Sequence, residues 1–211
     1  MESTNKKKQQ PQFWINPNTR LRFPQFCLEW QSCDKSDLFA FCKMEHPRRK
    51  TYMAGTTCVH MIHSEDYSRL FVLYHVDQHF ENLRLQKWLR ENIRDTITAR
   101  ASIALPKRLH ELEDKHQLYA KSVIVKKLRK GILGQCTYDN HIRLSPLIVI
   151  FPPALMDETI LHEMAHIKHH HHRKSFWNYL STLLGSDSKE KKMLYDLAIS
   201  KYWELYTFLM K

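Results

Sequence analysis

The chain is 211 residues long, 43% apolar and 26% charged, which is enough to bury a core and fits one domain with a modest extension. Four glycines are too few for the closely spaced sets of a Walker or dinucleotide-binding loop. A net charge of +11, from 33 basic against 22 acidic residues, admits a polyanionic partner without requiring one.

Met1 to Gln12 is polar and basic and reads as a flexible arm with no apolar leader, so a cytoplasmic protein is the expectation. Residues 13 to 50 carry prolines at 17, 24 and 47 among scattered aromatics and read as irregular. The expected organisation is therefore a basic, partly flexible N-terminal extension over residues 1–50 and a folded domain over 51–211. Cys27, Cys33, Cys42, Cys58 and Cys136 form no dense framework and read as reduced thiols.

Cys58 to Ile62 and Leu70 to Val76 are rich in β-branched and aromatic residues around a polar Ser64-Glu65-Asp66, which predicts a β-hairpin. Leu85, Trp88, Leu89, Ile93 and Ile97 then recur at helical steps. Pro106 is expected to break or kink that helix, with Leu109 and Leu112 continuing in a second one. Ser122 to Val125 and Ile142 to Leu144 read as strands around a Gly131-to-Asn140 loop. The apolar run Leu147 to Phe151, far short of a membrane span, reads as a buried strand stopped by Pro152-Pro153, and prolines suit the first turn of a following helix.

That helix holds His162-Glu163-Met164-Ala165-His166. Histidines four residues apart on a helix face one metal, with the glutamate beside them to act as a base. In a chain with 14 histidines the pattern arises by chance about 0.05 times, so context matters. Met156, Ile160, Met164 and Ile167 supply it as an apolar stripe that buries one face and leaves the histidines on another.

The run from Leu144 through Pro152-Pro153 to His162-Glu163-Met164-Ala165-His166, then His172 and Phe176-Trp177, resembles the YgjP-like zinc metallopeptidase family. Gly134-Gln135-Cys136-Thr137 stands where that family has Trp-Gly-Ser-Cys-Ser, with Leu133 and Gln135 as departures; His170-His171 replace its Pro-Asn. The resemblance implies an α+β fold of the small zincin kind, a mixed sheet packed on helices, with Zn2+ on His162, His166 and His172. It implies Glu163 as the catalytic base and a peptide or protein substrate. Nucleoside triphosphate pyrophosphatase activity is ascribed to some members, and some related zincins act on proteins crosslinked to DNA. A nucleotide hydrolase, and a nucleic-acid-binding protein with a non-catalytic zinc site, are thus the alternatives. Three protein ligands leave one zinc position open, as a catalytic site requires, and an intact Glu163 favours an enzyme.

With His172 as third ligand the chain must turn back after His166, because an unbroken helix would carry it about 9 Å up the axis. The helix is expected to end near His169, with His169 or His170 in the left-handed conformation that a glycine takes in similar metalloproteases. Phe176 and Trp177 are expected to anchor the returning segment.

Other candidates are weaker. Cys27, Cys33, Cys42 and His46 have no compact zinc-finger spacing. Cys136 is a candidate nucleophile, and His141 and Arg143 candidate transition-state stabilisers. Lys126, Lys127, Arg129 and Lys130 form a basic stretch read first as a solvated face. Tyr195, Tyr202, Trp203, Tyr206 and Phe208 read as core packing, and Glu204 is a third-ligand candidate that His172 makes unnecessary.

Overall fold

A computed structural model of the chain describes residues 13 to 188 and 200 to 211, so the arm Met1 to Gln12 and Tyr195 lie outside the described residues. Residues 13 to 50, expected to be irregular, instead carry two strands and a helix. β1 (Leu21–Phe23) and β2 (Phe26–Cys33) form a hairpin turned by Pro24-Gln25, so Pro24 makes the corner and interrupts no strand. α1 (Lys35–Lys43) leads to β3 (Arg49–Ala54), β4 (Thr57–His63) and β5 (Arg69–His75).

These strands form a five-stranded sheet in the order β1-β2-β5-β4-β3. β4 and β5 are the expected antiparallel hairpin, whereas β2 runs parallel to β5, Cys27 opposite Arg69 through Cys33 opposite His75. Ile15, Phe26 and Leu28 are buried in the common core. The Ile15 N–H donates to Gln86 Oε1 at 2.9 Å and Arg100 Nε to the Gln25 carbonyl at 3.0 Å, which ties this segment to the next helix.

That helix, α2 (Leu83–His116), is capped by Asn82, whose side chain accepts the N–H groups of Arg84 and Leu85. It runs unbroken through Pro106, contrary to the expected break. An internal proline costs about 3 kcal/mol. Leu105, Leu109 and Leu112 are all buried around it, and each contributes about 1.5–3 kcal/mol, so burial outweighs the lost hydrogen bond.

β6 (Ser122–Val125), β7 (Gly134–Cys136) and β8 (His141–Leu144) form a second sheet in the order β6-β8-β7, with β6 parallel and β7 antiparallel to β8. The loop expected from Gly131 to Asn140 thus contains an edge strand. Leu147 to Phe151 is buried as foreseen, but Pro146–Ile150 is a 3-10 helix instead of a strand. A run apolar on every side has no periodicity to separate the two.

α3 (Pro153–Ala165) then starts with Pro153 in its first turn and buries Met156, Ile160 and Met164. α4 (Lys174–Leu184) ends at Gly185, and α5 (Trp203–Met210) buries Tyr206 and Leu209. The result is a small α+β domain, both sheets mixed, around one apolar core. Among the described residues no helix is long and apolar enough to cross a membrane.

Candidate active site

α3 ends at Ala165, earlier than expected, and His166 closes its last turn by donating its N–H to the Glu163 carbonyl at 3.2 Å. The chain leaves through short turns, Ile167 to Met164 and Lys168 to Ala165, and neither His169 nor His170 has a positive φ. The left-handed residue expected here is therefore not used. Successive tight turns reverse the chain without it.

The reversal brings His172 back to α3. His162 Nε2 and His172 Nε2 are 3.1 Å apart, and one nitrogen from each of His162, His166 and His172 lies within 4.8 Å of the others. Tetrahedral zinc with Zn–N bonds near 2.0–2.1 Å places such nitrogens about 3.3 Å apart, a spacing that the His162–His172 pair approaches. His166 Nδ1 sits 2.8 Å from the His169 carbonyl, to which it donates; this fixes the tautomer and leaves Nε2 as the nitrogen available to a metal. Burial pushes the His166 imidazole below its ordinary pKa, which favours the neutral form a metal needs.

Phe176, fully buried, stacks on the His166 ring at 4.5 Å and meets His162 and His172 edge-on. Trp177 Nε1 donates to the His172 carbonyl at 2.9 Å. The Phe-Trp pair thus supports all three rings, as the expected anchor. His170 stacks on Tyr138, and His171 accepts the Arg173 N–H, so neither joins the set.

Glu163, next to His162 on α3, is buried against Gly134 of β7. Burial raises its carboxyl pKa to about 8, against the opposing pull of a hydrogen bond from the Cys136 backbone N–H. Gly134 admits the side chain, because a Cβ there would lie 2.5 Å from Glu163 Cγ. The sequence marked Gly134 only as part of the family resemblance; its contact with Glu163 had no signal.

Two cavities flank the histidines. One of about 560 Å³ runs under Phe151, Leu180, Trp203 and Tyr206, and one of about 370 Å³ runs past Gln135, Tyr138 and His170. Gly134, His162, Glu163 and His172 line both, so the site sits midway along a groove. Trp203, read from sequence as core, is instead exposed and forms part of that wall, while Tyr206 is buried in the core as read and also lines the cavity.

The remaining candidates fall elsewhere. His141 Nδ1 pairs with Ser122 Oγ at 2.7 Å, Arg143 reaches Gln135, and neither lines either of these two cavities. Burial, and then the Glu163 carboxylate, push the Cys136 thiol up to about 11, which suppresses a nucleophilic thiolate. Lys127 bonds the Met210 carbonyl and Lys130 lies over the Trp203 ring, so part of the basic stretch holds α5. Glu204 is exposed on α5 and absent from the histidine set. Cys27, Cys33, Cys42 and His46, a minor candidate from sequence, do not assemble: Cys27 turns to Glu29, Cys33 to the Tyr74 carbonyl, and His46 accepts the Arg48 N–H.

No curated protein and no solved structure matches the chain. Residues 46–196, well over half of it, match the family described as YgjP-like, metallopeptidase domain. That match runs from β3 past α4 and includes the whole histidine and glutamate constellation, so the chain belongs to the YgjP-like metallopeptidase family and is a metal-dependent hydrolase.

Proposed function

We propose that this protein is a zinc peptidase in which His162, His166 and His172 hold the ion and Glu163 is the catalytic base. The observation that carries the reading is the convergence of three imidazoles, two of them 3.1 Å apart, beside a buried carboxylate at the midpoint of a groove. Zinc at such a site supplies Lewis acidity, which lowers the pKa of a water towards 7 and polarises a carbonyl. Glu163 accepts the proton of the attacking water and returns it to the leaving amine. Its carboxylate is aimed for that task by the Gly134 contact and the Cys136 N–H.

An extended peptide fits the groove because β7, the edge strand of its sheet, forms one wall and offers backbone groups for pairing. A nucleoside triphosphate fits less well: among the described residues lining the two cavities there is no lysine or arginine to meet its phosphates. A reducing compartment such as the cytoplasm suits the five cysteines, which are all free thiols.

Metal analysis of the purified chain, with a hydrolysis screen over peptides and nucleoside triphosphates, tests the reading. Peptide cleavage is expected, and Glu163→Gln should keep the metal while activity falls by about 10²–10⁴-fold. Hydrolysis of nucleotides alone, or activity that survives Glu163→Gln, would overturn it.

A further inference from the structure

A second constellation lies away from the groove, between α1 and the five-stranded sheet. Cys58 and His60 are two residues apart on β4 and so share one of its faces. α1 brings Cys42 onto the same pair. Cys42 Sγ is 3.2 Å from His60 Nε2, Cys58 Sγ is 3.5 Å from the same nitrogen, and the two sulfurs are 3.7 Å apart. Tetrahedral zinc with Zn–S near 2.3 Å and Zn–N near 2.0–2.1 Å demands about 3.6 Å for sulfur to nitrogen and about 3.8 Å for sulfur to sulfur. The triangle is already close to that size.

Its surroundings are those of a ligand set. His60 is fully buried, and its Nδ1 is held 2.9 Å from Thr51 Oγ1, the side chain of its Cα partner on β3. A hydrogen bond at one ring nitrogen is what fixes the other as a ligand. Arg49 donates to the Phe41 and Cys42 carbonyls and so clamps the end of α1, and Phe41 packs edge-on against the His60 ring. Two sulfurs and an imidazole are the donors that zinc and other soft or borderline ions select. Cys58 also lines a cavity of about 380 Å³.

We propose that Cys42, Cys58 and His60 bind a zinc ion that clips α1 to β4, separate from the histidine site. The metal-free alternative is a pair of packed thiols with His60 satisfied by Thr51 and by the Leu38 carbonyl, which also reaches its ring. The sequence hid this set because fifteen residues separate Cys42 from Cys58. Only the crossing of α1 over β4 joins them.

Cobalt distinguishes the two sites, because a thiolate ligand gives a near-ultraviolet charge-transfer absorption that three imidazoles cannot. Metal-free, reduced full-length protein loaded with Co2+ should take up about two ions per chain and show that absorption. The absorption should persist in the His162→Ala/His166→Ala variant, in Cys33→Ser and in Cys136→Ser. Cys42→Ser, at the half-buried position, should abolish it and reduce uptake to about one ion, with circular dichroism confirming that the fold is kept. No thiolate absorption in the wild-type chain would overturn the proposal, as would absorption that survives Cys42→Ser or is lost in Cys33→Ser or Cys136→Ser. A Cys42–Cys58 disulfide in the unreduced protein, seen as a loss of two hydrogens in its mass with no metal bound, would overturn it as well.

Discussion

Gly134 on β7 and Glu163 on α3 touch at a separation that only a glycine allows. A Cβ on residue 134 would meet Glu163 Oε1 at 2.6 Å and Cδ at 2.8 Å. Gly134→Ala must therefore push the carboxylate off its position while leaving the three histidines in place. The expected result is a loss of hydrolysis of about 10²-fold with unchanged metal content, since small misplacements of a base are that costly. Equal activity in the alanine variant would show that the position of Glu163 does not limit the reaction.

The four consecutive histidines differ in their surroundings. His172→Ala should weaken metal binding at the histidine site markedly, whereas His170→Ala and His171→Ala should leave it within a few-fold, as measured by competition with a chelator. Trp177→Phe deletes the hydrogen bond to the His172 carbonyl and should cost about 10-fold in affinity, the usual scale for an outer-shell contact.

Asp157 accepts two hydrogen bonds from Arg108, Nε and Nη2 each at 2.7 Å, and so fixes α3 on α2. The pair is partly exposed, which limits its worth to about 1 kcal/mol. Arg108→Met should lower stability by that amount in urea unfolding and leave metal affinity untouched. A change in metal affinity without a change in stability would contradict this separation.

Asp66 organises the β4–β5 turn through bonds from Ser64 Oγ at 2.8 Å and Ser68 Oγ at 2.7 Å. The two serines, first Ser68, hold its carboxyl pKa at about 2, below its ordinary 3.8. The unfolded chain thus binds this proton more readily than the folded one, so the stabilisation is present above pH 3.8 and is lost as pH falls through about 2. Asp66→Asn should flatten the acid limb of the stability curve in that window. An unchanged limb would mean that the turn does not hold the carboxylate in its charged form.

Much of this was legible in the sequence because it is local. The spacing of His162 and His166 fixes their common orientation once a helix forms, and the prolines at 152 and 153 say where that helix begins. The β4–β5 hairpin and the buried stripe of α2 follow equally from periodicity. What local pattern misjudged was each case where burial decided the outcome. Pro106 stays inside a helix because its neighbours are buried on the core side, and Pro146–Ile150 forms a 3-10 helix where an all-apolar run gave no periodicity to tell it from a strand.

Local pattern does not supply the residues that complete both constellations; the family resemblance named His172 and Gly134, but how they meet α3 is a matter of tertiary structure. His172 meets α3 through a chain reversal made without a left-handed residue, and Gly134 meets Glu163 because an edge strand is laid against a helix from a different part of the chain. Cys42 reaches Cys58 and His60 only where α1 crosses the sheet. Period and spacing specify which way a side chain points from its own element. They carry no information on which distant element is packed opposite, because that is set by the burial of the whole core.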